Sequence, residues 1–197
     1  MRNKAATKQR LIDAISALLQ KNGFKALGIN AIARQAGVDK VLIYRYFDGL
    51  PGLLDAYAQD SDFWWTVDEL IPETDEQVKV MSLPEFLSLL LKRHIRALKR
   101  RPLTQEIMAW ELVESNELTR AVALLRSARG FALLKRVRQH FDEAAVVDIE
   151  NILGILGAAV NYLALKTRQA TDADKQQKEW QNLENSIDNM LSRLVAH

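Results

Sequence analysis

The sequence predicts an all-α protein. Three observations lead there. Apolar residues recur at helical spacing along nearly the whole chain. β-branched residues are sparse and strict apolar/polar alternation is absent, so no segment is expected to form a strand. Breaks such as Asn22-Gly23, Ala36-Gly37-Val38 and Asp48-Gly49-Leu50-Pro51 cut the chain into helix-sized pieces. With 197 residues, 48% of them hydrophobic, it can bury a core as one large domain or as a small domain plus a larger one.

About nine helices are expected. The first covers roughly 4–21, with Leu11, Ile15, Leu18 and Leu19 as its apolar stripe and Asn22-Gly23 as its stop. A short second helix follows at about 29–35. A third runs from Asp39, a suitable N-cap, to about Tyr46. Pro51 suits the first turn of a long fourth helix carrying Leu53, Leu54, Tyr57, Phe63, Trp64 and Val67. The acidic, weakly patterned stretch 71–84, bounded by Pro72 and Pro84, reads as a loop. Further helices are expected at about 85–100, 102–113, 116–140, 143–168 and 173–195.

Composition narrows the function. The chain has no Cys, which removes disulfides, a thiol nucleophile and thiolate metal sites, and fits a cytoplasmic location. His94, His140 and His197 are scattered without metal-ligand spacing. No nucleophile–base pair or phosphate loop stands out, so neither enzyme activity nor a cofactor is expected. The opening "MRNKAATKQR" lacks a signal-type apolar stretch. The longest uncharged run, 151–165, is shorter than the roughly 20 residues that span a bilayer, so no membrane association is expected.

Charge is unevenly placed. Residues 1–50 hold nine Lys/Arg against three acids, a net +6, in a chain whose total is +2. That leaves two readings, a polyanion-binding module or a solvated basic face. A second cluster, "LKRHIRALKRR" at 91–101, holds six cations at a helix C-terminus. Its plain reading is a solvated face that suits the helix dipole.

Residues 28–47 obey the rules of a helix-turn-helix, in which the second helix lies in the DNA major groove. Ala33 is small enough to let the second helix approach, Gly37 tolerates a positive φ, and Ile32, Val38 and Ile43 are spaced to close the angle. Lys40, Val41, Leu42, Tyr44, Arg45 and Tyr46 then occupy the outward surface. The competing reading is a plain helical corner.

The stretch "GFKALGINAIARQAGVDKVLIYRYFDGLPGLLDAYA", 23–58, resembles the DNA-binding domain of the TetR family of bacterial transcriptional regulators. The residues that carry the resemblance are Gly23, Phe24, Ile32-Ala33, Ala36-Gly37-Val38, Ile43-Tyr44, Tyr46-Phe47 and Leu53-Leu54. It implies a helix-turn-helix domain over 1–50 and a helical effector-binding and dimerisation domain over 51–197. It also implies that Tyr44 and Tyr46 contact phosphate, that Ile43 and Phe47 are buried, and that Lys40, Val41, Leu42 and Arg45 face the groove. There are departures. Gly28 stands where the family usually has a capping Thr, Asp39 where it has Ser, and Leu50 where it has Lys. Arg2, Lys4 and Lys8 on the leading arm are expected to compensate. The resemblance also implies that the basic end of the helix at 91–101 lies on the DNA-facing side, where its cations add long-range attraction.

Such a reader is expected to be a homodimer on a near-palindromic duplex site. Gly154, Gly157, Ala158 and Asn161 form a small-residue stripe in the eighth helix, and Leu183, Ile187 and Leu191 an apolar stripe in the ninth. Both are candidates for the dimer interface, against the reading that they complete the monomer's core. Phe63, Trp64, Trp65, Met108, Trp110 and Tyr162 are candidates for an apolar effector pocket, with His94 or Asn161 as polar orienters. The expected function is a homodimeric transcriptional regulator, a repressor released by a small apolar or aromatic effector. A ligand-independent or architectural DNA binder would use the same head without a pocket.

Overall fold

The computed structural model describes residues 2–23, 27–59, 63–141, 143–167 and 172–194. Every regular element among them is an α-helix, eleven in all. Phe24 and His197 lie outside the described residues, as does the side chain of Arg2. The two helices beyond the expected nine fall in the stretch read as the end of the fourth helix and a loop. Two short capped turns, Val67–Leu70 and Asp75–Lys79, form there. Thr66 Oγ1 accepts from Glu69 N at 3.2 Å, and Thr74 and Gln77 form a reciprocal capping box. Such pairs satisfy the amide groups a helix start leaves bare, and they stabilise a single turn without any apolar period.

Contacts divide the chain into two compact units, 1–64 with 110–125 and 65–109 with 126–197. The first contains α1 (Arg2–Asn22), α2 (Ile29–Ala36), α3 (Val41–Phe47) and α4 (Leu50–Ala58). α4 packs against α1 and α3 and belongs to the same compact unit. Leu11, Ile15 and Leu19, one turn apart on α1, are buried with Ile32, Ala33, Ile43, Leu53 and Leu54. Burying such side chains contributes about 1.5–3 kcal/mol each. Ser16 and Tyr57 hydroxyls meet at 3.3 Å across this unit.

The α3–α4 junction depends on a missing side chain. A Cβ on Gly52 would stand 1.9 Å from the Phe47 carbonyl oxygen. Only a bare Cα lets the start of α4 come so close to the end of α3.

The second unit contains α5 (Val67–Leu70), α6 (Asp75–Lys79), α7 (Leu83–Lys99), α10 (Glu143–Thr167) and α11 (Ala173–Leu194). Two further helices, α8 (Pro102–Glu111) and α9 (Glu117–Arg138), run across the division between the units. α7 is central to the second unit. It buries Phe86, Leu87, Leu90, Leu91, His94, Ile95, Ala97 and Leu98, and packs against α5, α10 and α11.

The basic stretch 92–101 is largely used inside this unit. Arg93 clamps Glu73 through both terminal nitrogens, one bond measuring 2.8 Å, and donates to the Leu70 carbonyl at 3.0 Å. Arg101 grips both oxygens of Glu69 at 3.0 and 2.8 Å, and Arg100 joins the same carboxylate. Lys92 and Ser88 share the Asp188 carboxylate, each at 2.6 Å, and Lys99 donates to Gln177. Five of the six cations therefore bond within the unit, and the cluster fastens α5 and α11 to α7. Burial works to raise the Glu69 carboxyl pKa, but the bonds and charges of Arg101 and then Arg100 outweigh it and hold it below the ordinary 4.5.

Two stability measurements test these joints. Gly52→Ala is expected to lower stability by about 3 kcal/mol or more, because the added carbon meets backbone and not a flexible side chain. A thermal midpoint within a degree of wild type would contradict that. Glu69→Gln is expected to cost about 1 kcal/mol at pH 7. Because the folded-state pKa is depressed, the ionic contribution is present above pH 4.5 and lost as pH falls through the lowered value. The deficit of the variant should therefore shrink below pH 4.5 in denaturant titrations.

Candidate nucleic-acid interface

The turn between α2 and α3 is closed by backbone alone. Gly37 sits at φ 64°, ψ 41°. Val38 N donates to Ala33 O at 3.0 Å and Gly37 N to Arg34 O at 3.2 Å, the paired bonds of a Schellman ending. A residue with a Cβ at this φ costs about 1–2 kcal/mol, so glycine is what the turn requires. Ala33, Ala36 and Ile32 are buried beneath it, while Val38 is half-buried where full burial was expected.

α3 then starts at once. The Asp39 carboxylate accepts from Val41 N at 2.8 Å, and the Asp39 carbonyl from Leu42 N at 3.0 Å. Asp39 thus caps the helix as the sequence suggests. The helix ends after two turns at Asp48, in the left-handed region at φ 60°, with its N–H on Tyr44 O.

Ile43 is the fully buried side chain of α3. Lys40, Val41, Tyr44 and Arg45 are exposed, Val41 at 59% and Tyr44 at 56%. Leu42 and Tyr46 are half-buried, as is Phe47, which was expected inside. Phe47 is the last residue of a two-turn helix, so its ring reaches only the edge of the core. Lys8 Nζ stands 5.1 Å from the centre of that ring, and Lys4 Nζ 5.5 Å from the centre of Tyr46. Both lysines belong to the first turns of α1, not to an extended arm. Gly28 is extended at φ −165° and caps α2 with its carbonyl, accepting from Ile32 N at 2.9 Å, without a side-chain bond.

Residues 11–57 match the bacterial regulatory proteins of the tetR family. The head is a tetR-family DNA-binding helix-turn-helix. The whole chain also has the fold of solved tetR-type proteins. A TetR family transcription regulator from Marinobacter aquaeolei VT8 is 17% identical, with a TM-score of 0.57 over 96% of this chain and 97% of that one. The fatty acid degradation regulator FadR from Bacillus halodurans is 19% identical, with a TM-score of 0.62 over 94% of each chain. No curated protein sequence matches the chain significantly.

In the second unit some of the expected effector residues meet. His94 Nε2 lies 3.1 Å from Asn161 Oδ1, and the Trp65 ring meets the His94 imidazole edge-on at 5.7 Å. Met108 is buried. Trp64 and Phe63 are buried in the first unit, to which the half-buried Trp110 also belongs. Tyr162 is 68% exposed and does not face His94's side of α10. Burial drives the His94 pKa down to about 4, against the bond to Asn161, which favours the proton. The imidazole is neutral at physiological pH.

The expected dimer residues divide in the same way. Gly154 and Ala158 are exposed and Gly157 is half-buried, whereas Asn161 turns toward His94. Ile187 and Leu191 are fully buried in the chain's own core, so they have no area left for a partner, and Leu183 is half-buried. Met190, on the same apolar stripe of the last helix, is exposed, and Ile155 (70% exposed) is an apolar surface residue that the sequence pattern does not single out.

The depressed His94 value has a pH consequence. Between pH 6.5 and about 4 the unfolded imidazole takes a proton that the buried one refuses, so His94 lowers stability as pH falls through that interval. His94→Leu should flatten the decline. Denaturant midpoints at pH 7.0, 6.0 and 5.0 check the slope, and parallel lines for the two proteins would contradict the assignment.

Proposed function

We propose that this chain is a homodimeric transcriptional repressor that reads a near-palindromic duplex with two copies of α3 and is released by a small apolar or aromatic effector. The observation that carries the reading is the exposed face formed by Lys40, Val41, Tyr44 and Arg45 on a helix fixed by the Gly37 turn, within a segment that matches the tetR family. Lys40 and Arg45 are suited to guanine edges, Tyr44 and Tyr46 to phosphate. Lys4 and Lys8, held over aromatic rings beside α3, add positive charge where Gly28 and Leu50 offer none.

Dimerisation is supported by α10. In its apolar stretch Ile149–Thr167 only Ile149, Leu156, Val160, Ala164 and Thr167 are buried, and Gly154, Ile155, Ala158 and Tyr162 line one exposed face. An apolar stripe of that length facing water favours cover, and small residues allow a second helix to come close. The interface on this reading uses that face of α10 with Leu183 and Met190 of α11. An apolar effector is supported by the neutral His94–Asn161 pair beside Trp65, which has no charge to offer a ligand, and by the buried Met108 in the same unit.

Selection of bound duplexes from a random pool tests binding, sequence preference and two-fold symmetry together. A near-palindromic consensus is expected. Arg45→Ala or Lys40→Ala should cost about 1–3 kcal/mol at one position of each half-site. Lys4→Ala or Lys8→Ala should instead weaken binding to all sequences and reduce the salt slope by about 0.9 for each phosphate left without its cation. A selection that returns no consensus would overturn the proposal.

A further inference from the structure

The reading face of α3 has one position that offers nothing polar, and we infer that Val41 selects the 5-methyl group of a thymine in each half-site. The inference rests on the DNA-reading role proposed above. Val41 is 59% exposed, between Lys40 and Leu42 at the start of α3. Its backbone N–H is already taken by the Asp39 carboxylate at 2.8 Å. What this position presents is therefore an isopropyl group and no donor. Leu42, the other aliphatic side chain of this turn, is half-buried, so the apolar contact falls to Val41.

The edges of the four base pairs in the major groove are acceptors and amino donors, with one apolar exception, the C5 methyl of thymine. An amino or carbonyl edge placed against Val41 loses its water and gains no partner, whereas a methyl group loses nothing and buries apolar area. Attraction and exclusion favour the same base. Lys40 and Arg45 flank the position with donors of fixed charge, so the pattern read by one head is a thymine within reach of guanine.

The test uses the full-length protein and the duplex recovered by selection. Each thymine is replaced in turn by deoxyuridine, which removes the methyl group and leaves every hydrogen-bonding edge intact. Wild type is expected to lose about fourfold in affinity at one thymine of each half-site, and about fifteenfold when both are replaced. Val41→Ala is expected to bind the thymine and deoxyuridine duplexes equally at that place while still responding to substitution of the neighbouring guanine. Circular dichroism and the thermal midpoint show that the variant is folded, as its surface position requires. Deoxyuridine tolerated everywhere by wild type, or felt equally by wild type and Val41→Ala, overturns the inference while leaving DNA reading in place. Failure to select any duplex removes both.

Discussion

The head depends on holding a two-turn helix in one orientation. α3 has seven residues, and a helix so short does not sustain itself in water, because nucleation costs more than so few hydrogen bonds return. A single fully buried side chain, Ile43, anchors its face. The orientation must come from the ends. At the entrance the Schellman bonds at Gly37 and the Asp39 carboxylate fix where the first turn begins. At the exit Asp48 reverses the backbone, and Gly52 lets α4 start against the Phe47 carbonyl. Both constraints act on the backbone. That arrangement leaves Lys40, Val41, Tyr44 and Arg45 with no packing duty, which is what a reading surface needs.

Positive charge serves two different ends in this chain. Along α7 the carboxylates Glu69, Glu73 and Asp188 sit within bonding distance, and the cations there hold helices together. On α3 neither Lys40 nor Arg45 takes part in an ion pair among the described residues. Lys4 and Lys8 are positioned by aromatic faces, which orient a cation without neutralising it. Counting charges in a segment cannot separate these uses. The difference lies in whether a carboxylate from elsewhere in the fold reaches the cation.

The sequence is most informative where the physics is local. Periodicity places most of the helices to within a few residues, although it carries the fourth through Val67 where α4 ends at Ala58, and the Gly37 turn and Asp39 cap follow from residue type alone. Thr66–Glu69 and Thr74–Gln77 are also legible as capping pairs, but a single turn carries no apolar period to draw attention to them. Long-range facts are not legible. The need for glycine at 52 arises from a carbonyl five residues away that only the folded junction brings near. Ile187 and Leu191 look as suited to a partner as to the chain's own core, because an apolar stripe does not say what will cover it. For Asn161 and Tyr162, adjacent in sequence, only the packing of α10 on α7 decides which one turns inward.

On the proposed reading, that last pair bears on how the regulator would switch. Successive helical residues point about 100° apart. Asn161 binds the buried His94, and Tyr162 lies on the exposed stripe with Ala158 and Ile155. On the proposed reading, a ligand that competes for the Asn161 amide acts on the same rigid helix that carries the dimer face. Coupling then needs no path longer than one helix is wide. Its strength has a limit. Exchanging one neutral hydrogen bond is worth about 0.5–1.5 kcal/mol, at most roughly a tenfold change in affinity for DNA. A tighter switch requires the ligand also to bury apolar area in one of the two states and not in the other. The buried Trp65 and Met108 supply apolar surface for that in the same unit as the polar pair, so on the proposed reading the apolar character of an effector would determine how far the switch moves.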